Sequence, residues 1–315
     1  MPALSGGSSN PECSPKGVSP VLAGGPGRPE VERHPWPRIS IVTPSYNQGQ
    51  FIEETIRSVI SQGYPNLEYI IIDGGSMDGS QTVIKKYEHQ LSYWVSEPDR
   101  GMYHAINKGF EHATGDILGW INSSDMLMPW ALWVVGQIFT QIPDLEWLTS
   151  LYPVRFGEQG LPVKCEKLRG HNKNLFYEGR CHIQQESTFW KKSLWLKVGG
   201  LNTEDYQFAG DFELWSRFYE HAELCGVDVP LGGNRYHNLQ KNASIEYRNE
   251  YRKILNSGNI KRKVYRNIIR KLRLHEIPKI RVLVNYLAGN ELHFIRSRFF
   301  GDSLKWEITS EKQFV

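Results

Sequence analysis

Short apolar runs alternate with amphipathic helical segments between residues 39 and 121, and this alternation limits the folds open to the chain more than any other feature. The runs Ile39–Val42, Tyr69–Ile72, Tyr93–Val95 and Ile117–Ile121 have the length and composition of buried strands, and Pro44 is expected to stop the first. The intervals between them carry apolar residues at helical spacing. Strands that alternate with helices of this length predict a mostly parallel, Rossmann-like α/β sheet with flanking helices.

Three regions of the chain differ in composition. Residues 1–36 are rich in Gly, Ser and Pro and show no apolar periodicity, so we expect a disordered leader. Residues 37–245 contain the α/β pattern and form the predicted main domain. Residues 246–315 begin with apolar positions at helical period, interleaved with Lys and Arg, and predict a basic amphipathic helical extension. Its helices either pack on the main domain or lie on an anionic membrane surface, and we favour packing.

Charge and cysteine content exclude several protein classes. The 315 residues carry 37 basic and 34 acidic side chains, and a net charge of +3 does not indicate a nucleic-acid-binding protein. Cys13, Cys165, Cys181 and Cys225 form no CxxC pair, so we expect neither a zinc site nor a disulfide framework. No uninterrupted apolar run approaches the roughly 20 residues that span a bilayer. The expected location is the cytoplasm, with peripheral contact at the inner face of the membrane as the alternative.

Polar turns follow three of the predicted strands. Pro44–Asn47 follows the first strand, Asp73 the second and Asn122–Asp125 the fourth. Because the carboxyl ends of parallel strands share the edge where open α/β sheets bind ligands, we expect these turns to line one site. Taken alone, Asp73 and its two following glycines also fit an ordinary turn. The first turn lacks the GxGxxG of dinucleotide-dependent oxidoreductases, which makes that class a poor alternative.

Four motifs resemble family 2 glycosyltransferases of the GT-A fold, in the family's order and spacing. They are Thr43–Asn47, Ile71–Ser76 with Asp78–Ser80, Asn122–Asp125 and Ala209–Trp215, within a region of likeness over about residues 38–245. The resemblance implies a GT-A catalytic domain over 37–245 that transfers a sugar from a nucleoside-diphosphate sugar to an acceptor hydroxyl, inverting the anomeric carbon. Glycan or cell-surface polysaccharide synthesis is the implied setting, with a glycan or lipid-linked glycan as acceptor.

The resemblance also assigns candidate binding residues. Those expected to contact the nucleotide sugar are Thr43, Pro44, Ser45, Tyr46, Asn47, Asp73, Arg100, Lys108, Asn122, Ser123, Ser124 and Arg235. Those expected to contact the acceptor are Gln185, Glu186 and Trp215. Simpler interpretations stay open. Arg100 and Lys108 also fit a solvated helix face, the two polar acceptor-side residues fit an edge strand, and Trp215 fits a core position.

The Asn122–Asp125 turn departs from the family pattern. Family members hold a divalent cation here, and Mg²⁺ and Mn²⁺ prefer carboxylate ligands, but Ser124 stands where the resemblance leads us to expect a carboxylate. Three outcomes are open. The ion binds weakly through Asp125 and the diphosphate, with His237 as a further candidate ligand. Alternatively, cationic side chains such as Arg235 replace the ion, or catalysis is lost.

Asp211 matches the family's catalytic base, a group that takes the acceptor proton and typically contributes about 10²–10⁴-fold to the rate. The other interpretation of Asp211 is an N-cap of the helix that continues through Leu214. Glu213 is expected to project away from Asp211, because residues two apart on a helix do not share a face. The principal alternative function is a catalytically impaired nucleotide-sugar or glycan-binding protein on the same scaffold.

Overall fold

The structure is a computed structural model that describes residues 36–237, 245–257, 291–300 and 303–312. Its strands are β1 (Ile39–Ser45), β2 (Leu67–Asp73), β3 (Tyr93–Ser96), β4 (Ile117–Trp120), β5 (Met126–Leu127), β6 (Trp147–Ser150), β7 (Val154–Phe156), β8 (Pro162–Cys165), β9 (Thr188–Lys191), β10 (Leu224–Val227), β11 (Gly232–Arg235), β12 (Glu291–Phe300) and β13 (Ser303–Lys312). Its α-helices are α1 (Ile52–Ile60), α2 (Ser80–Lys86), α3 (Met102–His112), α4 (Ala131–Gln141), α5 (Lys173–Tyr177), α6 (Lys192–Val198), α7 (Gly210–Phe218) and α8 (Ile245–Ser257). Short 3₁₀ turns span Glu88–Gln90 and Gln185–Ser187.

The larger sheet has nine strands in the described part of the chain, in the order β13-β12-β10-β6-β9-β4-β1-β2-β3. β3, β2, β1 and β4 run parallel, as the strand–helix alternation predicts, whereas β9 is antiparallel to β4 and β6. The expectation that Pro44 stops β1 is wrong, because β1 continues to Ser45. Pairing with β4 ends at Val42, so the missing N–H of Pro44 interrupts no ladder on that side.

The sheet is buried on both faces. Ile70 and Ile72 of β2 belong to the apolar cluster that includes Ile106 of α3. Ile71, between them in sequence, belongs to the cluster that includes Ile56 of α1, because successive strand residues point to opposite faces. Burial on both sides explains why the strands read as continuous apolar runs. Each such side chain contributes about 1.5–3 kcal/mol on burial.

A smaller sheet, in the order β5-β11-β7-β8, brings β11 beside the turn that follows β4. β5 begins directly after that turn, and β11 pairs with it through Gly233 and Met126. Gly232 allows the backbones to approach closely, since a Cβ here would overlap the carbonyl oxygen of Glu186. The last residue of β11, Arg235, is therefore placed at the candidate site.

The helical extension predicted over residues 246–315 is not confirmed as a whole. α8 is helical as predicted, and residues 258–290, with the cluster of lysines and arginines, lie outside the described residues. Helix is the wrong prediction for residues 291–312, which form a hairpin whose β12 joins the central sheet parallel to β10. Apolar and polar residues alternate along β13, with apolar side chains at Leu304, Trp306 and Ile308. This two-residue period is typical of a strand. Trp306 is buried and donates from Nε1 to Gln137 of α4 (2.9 Å).

The folded unit begins slightly earlier than the sequence predicts. Residues 1–35 of the predicted leader lie outside the described residues, but Trp36 packs edge-on against Tyr64 and Trp133, with ring centroids 6.0 and 5.1 Å away. No helix within the described ranges is long and apolar enough to cross a membrane.

Candidate active site

Asp73 ends β2 at the carboxyl edge of the sheet, opposite Ser45 of β1. Its buried carboxylate accepts hydrogen bonds from the N–H and the hydroxyl of Ser76 (2.8 and 2.6 Å) and from the hydroxyl of Ser96 (2.6 Å). The carboxylate thereby holds the turn after β2 in place. Its predicted contact with the nucleoside stays a prediction.

The segment from Thr43 to Asn47 runs from the core to the surface. Thr43 is fully buried and shares a hydrogen bond with a tyrosine hydroxyl of β2 (3.0 Å), which leaves its side chain no exposed surface for a ligand. Tyr46 is 61% exposed, and Asn47 adopts a left-handed backbone (φ 50°) that bends the chain toward the loop after β2. The buried hydroxyl of Ser45 has no hydrogen-bond partner among the described residues. Tyr46 and Asn47 are the exposed members of this segment, whereas the Ser45 hydroxyl is covered.

Arg100 lies just before α3, and Lys108 lies within that helix. Gly101, with φ 111°, precedes the helix, and its N–H donates to the Asp99 carboxylate (2.7 Å). Arg100 is exposed, whereas Lys108 forms an ion pair with Glu97. Of these two predicted donor-binding cations, Arg100 has the more accessible charge.

The Asn122–Asp125 turn follows β4 and is tied together internally. The Asp125 carboxylate is buried and accepts hydrogen bonds from Asn122 Nδ2 (3.0 Å), the Ser124 hydroxyl (3.3 Å) and the Arg235 N–H (3.0 Å). Burial raises the pKa of Asp125 to about 6. Ser123 is buried as well, and the Oδ1 of Asn122 is buried without a partner in the described part of the chain. Asn122 Oδ1 is thus a covered acceptor that no described residue uses.

Arg235 supports this turn from the protein interior. Its side chain is 1% exposed and donates to the carbonyl oxygens of Ser124 (2.9 Å) and Glu158 (2.8 Å), and it is paired with Glu54. The predicted contact of Arg235 with the diphosphate therefore gives way to a role in shaping the turn. His237 is mostly buried with its ring 4.8 Å from that of Phe51, and burial followed by the charge of Arg235 lowers the pKa of His237.

The predicted metal ligands do not form a cation site by themselves. No group of three His, Cys, Asp or Glu side chains arranged to hold a metal occurs within the described ranges. Both carboxylate oxygens of Asp125 already accept hydrogen bonds from the protein. The donor set present therefore does not fit a divalent ion held by the protein alone, since such ions prefer several oxygen ligands.

Asp211 is the second residue of α7. The hydroxyl of Tyr103 lies 3.3 Å from Asp211 Oδ1 and also donates to the Phe208 carbonyl (2.9 Å). Burial is the main cause that raises the pKa of Asp211. The N-cap interpretation is wrong, because Ala209 occupies the cap position. Glu213 points elsewhere, as expected, and pairs with Arg217 through both carboxylate oxygens.

A cavity of about 340 Å³ opens beside Asp211. Arg180 and His182 lie on one part of its wall, and Tyr247 and Tyr251 of α8 on another. Carboxylate, cationic and aromatic groups thus surround a space that opens to solvent. A hydroxyl-bearing ligand in this cavity would lie next to Asp211.

Trp215 borders the cavity but belongs to the core. It is 1% exposed, and its ring lies parallel to those of Trp120 and Trp147 at centroid distances of 5.7 and 5.5 Å. Trp190 completes this tryptophan cluster, 5.6 Å from Trp215. The predicted stacking of Trp215 on an acceptor sugar is wrong, because neighbouring indoles already cover the ring.

Gln185 and Glu186 lie next to the Asn122–Asp125 turn. They lie in the 3₁₀ turn before β9, and Gln185 contacts both the Trp120 carbonyl and Asn122. Burial, and then the negative charge of Asp125, raise the pKa of Glu186 well above its ordinary value. The edge-strand alternative does not hold, since both side chains are buried. Their predicted acceptor contacts stay predictions.

Sequence reasoning missed the aromatic wall of the cavity. Tyr247 and Tyr251 were assigned only to the apolar face of a helix, and Arg180 and His182 to no motif. Tyr251 instead packs on Phe212 of α7, with ring centroids 4.4 Å apart. Its spacing of four from Tyr247 was the available signal, but helical spacing alone does not distinguish a core face from a cavity wall.

The fold and the edge turns define a glycosyltransferase of the GT-A type. Residues 40–132 match the family described as Glycosyl transferase family 2. The uncharacterized glycosyltransferase Rv1514c of Mycobacterium tuberculosis is 33% identical over 181 residues, which are 56% of this chain and 67% of that protein. The chain belongs to glycosyl transferase family 2.

Two further similarities place the chain among these enzymes. TuaG of Bacillus subtilis, a glycosyltransferase named for teichuronic acid biosynthesis, is 36% identical over 92 residues, 28% of this chain and 36% of that protein. The crystal structure of S. aureus TarS 1-349 in complex with UDP-GlcNAc superimposes with a TM-score of 0.52 at 15% identity, over 66% of this chain and 61% of that one. This likeness concerns the fold.

Proposed function

We propose that this protein is an inverting glycosyltransferase that moves a sugar from a nucleoside-diphosphate sugar to an acceptor hydroxyl, with Asp211 as general base. One observation carries the proposal: the Asp211 carboxylate borders an open cavity and is held by Tyr103. The raised pKa of Asp211 suits this role, because a base is most effective when its pKa lies nearer the working pH.

The chemistry is a single in-line displacement. The acceptor oxygen attacks the anomeric carbon as Asp211 takes its proton, and the bond from that carbon to the diphosphate breaks. The nucleoside diphosphate departs with the bonding electron pair, and attack from the opposite side inverts the anomeric centre. The donor lies along the sheet edge, where Tyr46 is exposed and where the covered Ser45 hydroxyl and Asn122 Oδ1 have no hydrogen-bond partner among the described residues.

Stabilisation of the departing diphosphate is a leading catalytic contribution in this class of reaction. Arg100, exposed beside the start of α3, is the candidate cation of the protein for this role. Asp125 and His237 would be the protein's candidate ligands for a Mg²⁺ or Mn²⁺ bound together with the diphosphate, and such an ion would supply positive charge to the leaving group. Titration of turnover with Mn²⁺ after chelation measures that contribution separately from Asp211.

The acceptor is a glycan, and polysaccharide synthesis is the proposed setting. Support comes from the relatives: TuaG is named for teichuronic acid biosynthesis, and TarS was crystallised with UDP-GlcNAc. A lipid-linked glycan fits the same chemistry, because it too presents a sugar hydroxyl. Aromatic cavity walls such as Tyr247 and Tyr251 suit the apolar faces of sugar rings.

A donor screen with Asp211→Asn tests the proposal. UDP-, GDP- and dTDP-sugars are incubated with the protein, and release of nucleoside diphosphate is measured with and without Mn²⁺. For the donor that is turned over, Asp211→Asn should lower the rate by about 10²-fold or more. The matched control is Asp205→Asn, an exposed aspartate six residues earlier, which should leave the rate unchanged. Equal rates for wild type and Asp211→Asn would refute the base, and donor binding without release would favour the non-catalytic binding protein.

A further inference from the structure

One carboxylate of helix α8 binds the segment that leads into α7. Glu250 Oε1 accepts a hydrogen bond from the N–H of Gln207 (2.9 Å), and Oε2 accepts from those of Phe208 (2.9 Å) and Ala209 (2.7 Å). Hydrogen bonds to an ionised group are roughly twice as strong as neutral ones. One side chain therefore fixes three successive peptide groups immediately before the helix that carries Asp211.

The N-terminus of α7 needs such a partner. Its cap residue, Ala209, has no side-chain acceptor, and no side-chain cap hydrogen bond forms within α7. In a capping box, a Glu inside the same helix reaches back to the N–H of the cap residue. Glu250 does this from a different helix, so the position of α8 determines how α7 begins.

Tyr103 of α3 attaches to the same segment. Its hydroxyl donates to the Phe208 carbonyl (2.9 Å) and lies 3.3 Å from Asp211 Oδ1. The peptide groups on both sides of Phe208 are thus held, one by α3 and the other by α8. A displacement of this segment would move Asp211 with it.

The same helix forms part of the cavity wall. Tyr247 and Tyr251 line the cavity, and Ile254, spaced four residues from Glu250, is buried. Residues three and four apart share a helix face. The face of α8 that walls the cavity is therefore the face that carries Glu250.

We propose that Glu250 is a positioning residue for the transfer reaction: it anchors the start of α7 so that Asp211 faces the acceptor cavity. The inference rests on the proposed function, because it takes Asp211 as the base. Glu250 contacts neither the reacting atoms nor the donor turns, and it acts through the backbone of residues 207–209.

The charge of Glu250 also reaches the base. Burial is the main cause of the raised pKa of Asp211, and the negative charge of Glu250 raises it further, whereas the Tyr103 hydrogen bond lowers it. The ionisable groups that surround Asp211 come from α3, the turn before β9, the cavity wall and α8. They are Tyr103, Glu186, Arg180, His182, Tyr247 and Glu250.

Glu250→Gln tests the role while keeping the size of the side chain. The amide has one acceptor oxygen and no charge, so it cannot reproduce the three charge-assisted bonds. The matched control is Glu246→Gln, which removes the same charge from an exposed position one turn earlier on α8. We expect Glu250→Gln to lower kcat about tenfold or more, as misplacement of a catalytic group does, with an unchanged KM for the donor. The acid limb of the kcat profile should move to lower pH.

Titration of Asp211 itself makes the result independent of turnover. Protein labelled with ¹³C at the aspartate carboxyl carbons is followed by NMR, and the Asp211 signal is identified by its loss in Asp211→Asn. Its midpoint should move to lower pH in Glu250→Gln and stay in place in Glu246→Gln. An unchanged midpoint overturns the inference, even where Glu250→Gln lowers the melting temperature. If no donor is turned over, the proposed function fails, while the titration still shows whether Glu250 acts on the Asp211 carboxylate.

Discussion

Replacement of Arg235 by Met should destabilise the protein strongly. The substitution removes donation to the Ser124 and Glu158 carbonyls and the pairing with Glu54. It also removes the guanidinium from the ring of Phe51, 4.9 Å away. Hydrogen bonds of charged groups contribute about 1.5–3 kcal/mol each, but Glu54 is half exposed and contributes little.

The release of a buried charge offsets part of this loss, so the expected net destabilisation is about 2–4 kcal/mol. At about 2–4 °C per kcal/mol for a protein of this size, the melting temperature should fall by about 4–16 °C. Differential scanning calorimetry measures the shift directly. Donor affinity should fall as well, because the Ser124 carbonyl loses its support.

Arg57→Met is the control for this measurement. Arg57 pairs with Glu53 along α1, and its side chain is 65% exposed. An exposed pair of this kind contributes little to stability, so the melting temperature should stay within a degree or two of that of the wild type. If the melting temperatures of Arg235→Met and Arg57→Met lie within a degree or two of each other, Arg235 is not a structural support. That result would favour the predicted contact of Arg235 with the diphosphate of the donor.

Three further outcomes follow from the contacts. Burial lowers the pKa of His171 from 6.5 to about 4, so the unfolded chain binds a proton at a higher pH than the folded protein does. The free energy of unfolding should therefore fall by about 3 kcal/mol in total as the pH drops from about 6.5 to 4. Urea unfolding of His171→Asn across this window should show a smaller loss. Gly232→Ala should cost about 1–3 kcal/mol in the same assay, because its methyl group overlaps the Glu186 carbonyl. Tyr103→Phe removes a hydrogen bond that stabilises the Asp211 carboxylate, so the acid limb of the kcat profile should move to higher pH. This direction is opposite to that expected for Glu250→Gln. A shift in the same direction for both variants would contradict the assignment of Asp211 as the base.

Local patterns predicted the first half of the fold well because each element there has strong internal signals. The strands β1, β2 and β4 are short and mostly buried, and the helices between the strands bury one face, so periodicity alone locates these elements. The hairpin of residues 291–312 has no such guide. The helical period of residues 251–272 leads to the prediction of helix up to residue 315. The pairing of β12 with β10, by contrast, depends on residues far apart in sequence.

In the candidate site too, features with a local sequence signal were predicted and features that depend on distant contacts were not. Motif spacing brought Asp73, the Asn122–Asp125 turn and Asp211 into the predicted site region. It did not reveal that Arg235 points inward, because a buried and a solvent-facing arginine have the same sequence signal. Motif spacing also did not indicate Glu250. Its partners are three backbone N–H groups, and the sequence does not show which backbone groups a side chain will bind.

The tryptophan cluster gives this protein an optical signal of its own. The indole N–H groups of Trp120, Trp147, Trp190 and Trp215 are buried without hydrogen-bond partners in the described residues, a dry environment that shifts indole emission to the blue. Trp215 sits one helical turn after Asp211 and borders the cavity. Occupation of the cavity should therefore alter the intrinsic fluorescence and the near-ultraviolet dichroism of coupled indoles, and acceptor candidates can be ranked spectroscopically before any labelled sugar is synthesised.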